Sequence, residues 1–188
     1  MQKIILASQS PRRKQLLEMA DIDFDIIAPA TDERFPAEMN IREAPTYIAQ
    51  EKAKAVFNLH PERTILAADT VVILGNQLIG KPANRTEAIE MLSQLSEQTH
   101  EVITGVCIQH QHNKVLFSSS TTVEFHPISE AQIQFYVDRY QPFDKVGGYA
   151  IQEWIGAVAI KKIDGCFYNV MGLPISRVVA ELVKLNLL

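Results

Sequence analysis

The sequence predicts an α/β chain built on a mixed, twisted β-sheet with flanking helices. Short apolar strands alternate with stretches whose apolar residues recur at helical spacing, which places helices between strands. Long strand-forming segments joined by tight turns add β-hairpins, so the sheet is not purely parallel. An apolar share of 47% over 188 residues provides core for one domain or two small lobes.

Ile4-Ile5-Leu6 reads as the first strand, and a helical pattern follows to Ala20. Ser10 suits its N-cap and Pro11 its first helical position, where a missing N–H costs nothing. Phe24 to Ile27 is a short strand ending in an acidic loop, Thr31-Asp32-Glu33. Ala44 to His60 is a long helix with Pro45 in its first turn and Ala49, Ala53, Val56 and Phe57 on one face. Thr64 to Leu74 is a near-continuous apolar strand, turned by Gly75-Asn76. Thr86 to Ser96 is helical, and Val102 to Ile108 pairs with Val115 to Phe125 across Gln111-His112-Asn113. Ser129 caps a helix to Tyr140, with Glu130 in its first turn. Ala157–Ile163 and Phe167–Val170 are expected to form a second hairpin at Asp164-Gly165, and Pro174 opens the terminal helix.

Composition excludes several classes. A net charge of −4 argues against broad binding to nucleic acid, so any anion site is a local basic pocket in an acidic protein. Cys107 and Cys166 match no metal or redox spacing and read as reduced, mostly buried thiols. The four-residue apolar run before Ser8 is too short for a signal peptide, and no run approaches membrane-spanning length. The expectation is a cytoplasmic protein with no membrane or nucleic-acid partner.

Residues 7–13, Ala7-Ser8-Gln9-Ser10-Pro11-Arg12-Arg13, carry the most chemistry. A strand, a tight turn and a helix start aim backbone N–H groups and the helix dipole at one point, an anion site that phosphate commonly fills. Two serines and the forked guanidiniums of Arg12 and Arg13 strengthen that reading. An ordinary capped helix with solvated arginines also fits. Asp69 interrupts Ala67-Ala68-Asp69-Thr70-Val71-Val72, where an unpaired carboxylate would cost several kcal/mol. It must meet a cation, a metal or strong donors, backbone amides among them. Glu33 and Lys52 are ordinary when taken alone.

Gly75 to Pro82 approaches the P-loop pattern G-x-x-x-x-G-K-[ST], but Pro82 has neither a hydroxyl for Mg²⁺ nor an N–H for the phosphate cradle. The P-loop is rejected and Lys81 kept as a phosphate ligand. His110 and His112 sit at a hairpin tip with no third ligand nearby in sequence. Neither G-x-G-x-x-G nor G-x-S-x-G occurs. Trp154, beside Gly156, reads as packing. Phe143 to Gln152 mixes glycine, polar and aromatic residues, which suits a ligand-closing loop as well as a plain turn.

Five blocks taken together carry a resemblance. Leu6-Ala7-Ser8-Gln9-Ser10-Pro11-Arg12-Arg13, Ala68-Asp69-Thr70-Val71-Val72, Gly80-Lys81-Pro82, Asp144 to Gln152 and Gly165–Pro174 occur in order over nearly the whole chain. In this the sequence resembles the Maf family of nucleoside triphosphate pyrophosphatases. Val146 stands where that pattern has Ala, a change that bears on packing. The resemblance implies a fold akin to the inosine triphosphate pyrophosphatases, a single domain with the nucleotide in a cleft between two lobes. It further implies hydrolysis between the α- and β-phosphates, a divalent cation (Mg²⁺, or Mn²⁺) and a homodimer.

Within that resemblance Asp69 is the proton acceptor or, equally, a metal ligand with Glu33; the sequence leaves the choice of role open. Lys52 and Lys81 complete the catalytic set, while Ser8, Arg12 and Arg13 bind the triphosphate. Arg12, Thr70 and Gln152 match the branch of the family that resembles dTTP/UTP pyrophosphatases, whereas the 7-methyl-GTP branch tends to have Trp, Gln and Glu. A neutral amide at 152 can both donate to and accept from the O4/N3–H edge of uracil or thymine. The competing class is a nucleotide-binding regulator of cell division without needed turnover. Retention of the acid with its lysines and arginines favours an enzyme.

Overall fold

The computed structural model describes residues 3–188, with a seven-stranded mixed sheet and helices between the strands. Strand β1 (Ile4–Leu6) runs parallel to β2 (Phe24–Ile26) and to β3 (Ile65–Leu74). Parallel neighbours need long crossovers, and these hold α1 (Pro11–Met19) and α2 (Ala44–Phe57). β4 (Gln77–Ile79) returns antiparallel on β3 after Gly75, which takes φ +60° in the turn. Then come α3 (Arg85–Leu95), the hairpin strands β5 (Thr99–His110) and β6 (Asn113–Phe125), and α4 (Glu130–Tyr140). The chain ends with α5 (Trp154–Ala159), β7 (Ile160–Asp164), α6 (Phe167–Met171) and α7 (Ile175–Lys184). The sheet order is β2-β1-β3-β5-β6-β7, with β4 paired to β3.

The residues sort into two compact units, the first holding the chain up to Asp69 with Thr104–Ser119 and Gly172–Leu188. Its core packs Ile5, Ala7, Ile65, Ala67 and Cys107 against Ala49, Ala53 and Val56 of α2, with Phe57 at the margin. This is the apolar helix face expected from the sequence. The small residues let α2 approach the sheet closely. At Gly105 the approach is backbone to backbone, because a Cβ there would stand 2.2 Å from the Thr46 amide nitrogen. Burial also pushes the Cys107 thiol up to about 12, so it stays a protonated core residue.

The second unit comprises Thr70–Ile103 and Ser120–Met171. α4 starts with a capping box between Ser129 and Gln132, and Arg85 of α3 makes a two-pronged bond to Asp138 of α4 at 2.6 and 3.0 Å. His100, Phe125 and Tyr149 form an edge-to-face aromatic trio, with His100 Nε2 at 2.7 Å from the Tyr149 hydroxyl. Burial drives the His100 pKa down to about 4, leaving a neutral imidazole. Trp154 packs on Phe135 and Tyr136, as its reading as a packing residue requires.

Two expectations fail. The hairpin of Ala157–Ile163 with Phe167–Val170 does not form, since Ala157 lies in α5 and Phe167–Met171 is helical. β7 pairs instead with β6. The Thr121 hydroxyl accepts from Cys166 N (3.0 Å) and lies 3.1 Å from the Cys166 carbonyl, and Asn169 Nδ2 donates to it. These bonds turn the chain away after Gly165, so a β-prone run becomes one helical turn. Ser10 occupies the N-cap position of α1, yet its side chain makes no cap bond.

Candidate active site

The tight turn after β1 places Ser8 at the start of α1, 6% exposed. Its Oγ accepts from Ser10 N at 3.2 Å and from Arg13 Nη1 at 3.1 Å. The Ser8 hydroxyl thus holds the Ser10 N–H, ahead of the first-turn N–H groups that a capping Ser10 side chain would accept from. Arg13 is buried at 8% exposure and also donates through Nε to the Gly172 carbonyl at 2.8 Å. Burial lowers its pKa, opposed by the charge of Asp69, added to by Arg12 and opposed again by Glu33. Arg13 is therefore a rigid brace within electrostatic reach of both carboxylates, and Arg12, half-buried, is its neighbour in the same turn of helix.

The second feature is a three-charge cluster. α2 buries Lys52 to 5% exposure, and its ammonium is gripped by Asp69 Oδ1 at 2.8 Å and Glu33 Oε1 at 2.6 Å. Asp69 projects from the middle of β3 with a side chain 13% exposed, whereas Glu33 comes from an exposed loop at 56%. Of the partners considered from sequence, Asp69 takes a cation, and that cation is a lysine. Two residues unremarkable alone, Lys52 and Glu33, become significant because the fold joins them to Asp69. The buried ammonium pairs with both acids and holds their oxygens turned towards one point.

No group of three or more His, Cys, Asp or Glu side chains suited to a metal occurs among the described residues. Two converging carboxylates nevertheless fit a hard cation that keeps its water and takes phosphate oxygens as ligands, as Mg²⁺ does. His110 is engaged otherwise, with Nδ1 at 2.8 Å from the Thr64 hydroxyl.

The remaining site residues belong to the second unit. Thr70 follows Asp69 in β3, half-buried. Lys81 is exposed, just beyond β4, and residues 77–79 are strand rather than a phosphate cradle, in keeping with rejection of the P-loop. The carbonyl before it, on Gly80, accepts from Gly147 N at 2.8 Å. Gly147 holds φ +74° inside the second of two short 3₁₀ turns, Pro142–Asp144 and Val146–Gly148, a conformation that favours glycine. The loop thus hangs on the segment that bears Lys81. Lys145, which sequence reasoning overlooked, is buried at 7% and pairs with Asp144 at 2.9 Å and Glu153 at 3.6 Å. In sequence it stands only as one cation within the glycine-containing stretch Asp144 to Gln152. Gln152 lies exposed at the end of this loop.

Comparison with known proteins gives a consistent picture. The sequence matches the family described as "Maf-like protein" over residues 3–185. A dTTP/UTP pyrophosphatase of Bacteroides thetaiotaomicron is 45% identical over 185 residues, spanning 97% of this chain and 96% of that one. The dTTP/UTP pyrophosphatase of Cytophaga hutchinsonii is 48% identical over 182 residues, 97% of this chain and 84% of its own. That of Porphyromonas gingivalis (strain ATCC BAA-308 / W83) is 46% identical, covering 96% and 92%. Among solved structures, the Staphylococcus aureus Ham1 protein aligns with a TM-score of 0.43 at 14% identity, over 66% of this chain and 72% of that one.

Proposed function

The chain belongs to the Maf-like protein family, and on that premise we propose that it hydrolyses dTTP and UTP between the α- and β-phosphates, giving the nucleoside monophosphate and pyrophosphate. The observation that carries the reading is the Asp69–Lys52–Glu33 cluster, a nearly buried acid paired with a buried lysine beside the basic Ser8–Arg13 turn. Near-full-length relatives named dTTP/UTP pyrophosphatase supply the substrate.

In this reading Ser8 and Arg12 bind phosphate oxygens at the start of α1, where backbone N–H groups and the helix dipole favour anions. Arg13 braces Ser8 and adds positive potential. Lys81 contributes a second cation to the triphosphate. Asp69 accepts the proton of the attacking water as its oxygen bonds to the α-phosphorus, and the bond to the bridging oxygen breaks to release pyrophosphate. Lys52 keeps that carboxylate oriented, so catalysis is chiefly positioning with electrostatic stabilisation of the phosphoryl transition state. Asp69 and Glu33 would hold Mg²⁺ or Mn²⁺, which would withdraw charge from the phosphates. Arg12, Thr70 and Gln152 set the preference, with the Gln152 amide donating to and accepting from the pyrimidine edge. The protein works in the cytoplasm, as a homodimer.

The test is a panel of dTTP, UTP, CTP, GTP and 7-methyl-GTP with Mg²⁺, assayed for monophosphate and pyrophosphate separately. Pyrophosphate from dTTP and UTP above all others is expected, and Gln152→Glu should lower those two rates selectively. Preference for 7-methyl-GTP, or relative rates unmoved by Gln152→Glu, would overturn the substrate assignment.

A further inference from the structure

Glu153 N donates to the Ala150 carbonyl at 3.1 Å, closing a four-residue turn with Ile151 and Gln152 at its centre. Both ends of this turn converge on one phenol. Tyr136 of α4 is fully buried, and its hydroxyl accepts from Ala150 N at 3.2 Å while donating to Glu153 Oε2. The other oxygen of Glu153 faces Lys145 Nζ at 3.6 Å. The tyrosine ring is itself fixed, stacked on Tyr140 with centroids 5.0 Å apart and on Trp154 at 6.5 Å. Behind the turn, α5 closes without clearance, because a Cβ on Gly156 would stand 1.7 Å from the Ile151 carbonyl oxygen.

We propose that Tyr136 is a specificity-positioning residue, its hydroxyl stapling the two ends of the 150–153 turn so that the exposed Gln152 amide meets the base at a fixed height and angle. A glutamine on a flexible loop rotates to suit many partners. One carried on a doubly anchored turn starts from a fixed Cα and Cβ, which narrows the orientations its amide can take, and an amide reads a pyrimidine edge only when donor and acceptor are both aligned. Tyr136 is remote in sequence from the turn it holds and touches no reacting atom, so it acts through Gln152. The inference rests on the reading of Gln152 as the base-contacting residue.

The experiment is a double-mutant cycle of Tyr136→Phe and Gln152→Ala, read as the ratio of kcat/KM for dTTP over CTP. Tyr136→Phe keeps the ring and its stacking and removes only the hydroxyl. It is expected to lower the ratio about tenfold, mostly through KM for dTTP. With Gln152→Ala already present, adding Tyr136→Phe should leave the ratio unchanged. An equal loss for all nucleotides, or additive effects in the cycle, would overturn the proposal. Should Tyr136→Phe lower the melting temperature too far to assay, Glu153 gives a second arm. Glu153→Gln keeps an acceptor for the phenol and retains discrimination, while Glu153→Ala loses it; equal behaviour of the two refutes the staple. Binding of α,β-methylene dTTP and α,β-methylene CTP reads the same ratio without turnover. If the wild-type protein releases no pyrophosphate, the proposed function fails, and the staple stands or falls on those affinities alone.

Discussion

Replacing Lys52 by Met is the perturbation that reaches deepest into the cluster. Methionine keeps the length and apolar stem but deletes the ammonium that Asp69 and Glu33 share at 2.8 and 2.6 Å. The two carboxylates do not weigh equally. Glu33, with a side chain 56% exposed, regains water and costs little. Asp69, 13% exposed in a strand of apolar neighbours, is left charged and unpaired by Lys52. Breaking such a pair from one side costs about 3 kcal/mol, which for a chain of this size lowers the melting temperature by about 6–12 °C. Thermal unfolding followed by circular dichroism measures it. The companion Lys52→Met/Asp69→Asn removes the stranded charge and should recover more than half of the loss while remaining inactive. A Lys52→Met protein as stable as wild type, or a double variant less stable than the single one, would refute the claim that Lys52 neutralises Asp69.

Three further outcomes are expected. Asp69→Asn keeps the shape of the site but cannot accept a proton, so kcat should fall at least about 10²-fold with the fold intact by circular dichroism; near-normal turnover would remove Asp69 from the mechanism. His100 titrates at about 4 in the folded protein against an ordinary 6.5, so between those values only the unfolded chain binds the proton. Stability is therefore complete above pH 6.5 and falls as the pH drops towards 4, by on the order of 3 kcal/mol, and His100→Phe should flatten this slope in denaturant melts across the range. Gly105→Ala would push a methyl group against the Pro45–Thr46 backbone and displace the N-terminus of α2, costing about 3 kcal/mol in chemical denaturation; an unchanged midpoint would contradict the close approach.

Much of this architecture was legible because local and global signals agree. The strand–helix–strand start, the Asp69 interruption of β3 and the Ser129-capped helix all follow from apolar spacing and capping chemistry. The failed hairpin beyond Ala157 shows the opposite case. Phe167-Tyr168-Asn169-Val170 has strand propensity, but its fate was decided by the distant Thr121 hydroxyl, which no local pattern reveals. The site divides the same way. Asp69 announced itself as a charge in an apolar run, and the Ser8–Arg13 turn as a helix start rich in phosphate-binding residues. Lys52 and Glu33 gave no such signal, since their meaning comes from meeting Asp69 across the fold. Tyr136 and Gly105 were invisible for the same reason. Each is an ordinary residue whose role is defined by a neighbour well separated in sequence.

The most direct test of the central claim is hydrolysis of dTTP in water enriched in ¹⁸O, with both products analysed by mass. Attack on the α-phosphorus places the label in dTMP and leaves pyrophosphate unlabelled, and this is the predicted result. Label in the pyrophosphate, release of orthophosphate with dTDP, or no products at all would contradict the account.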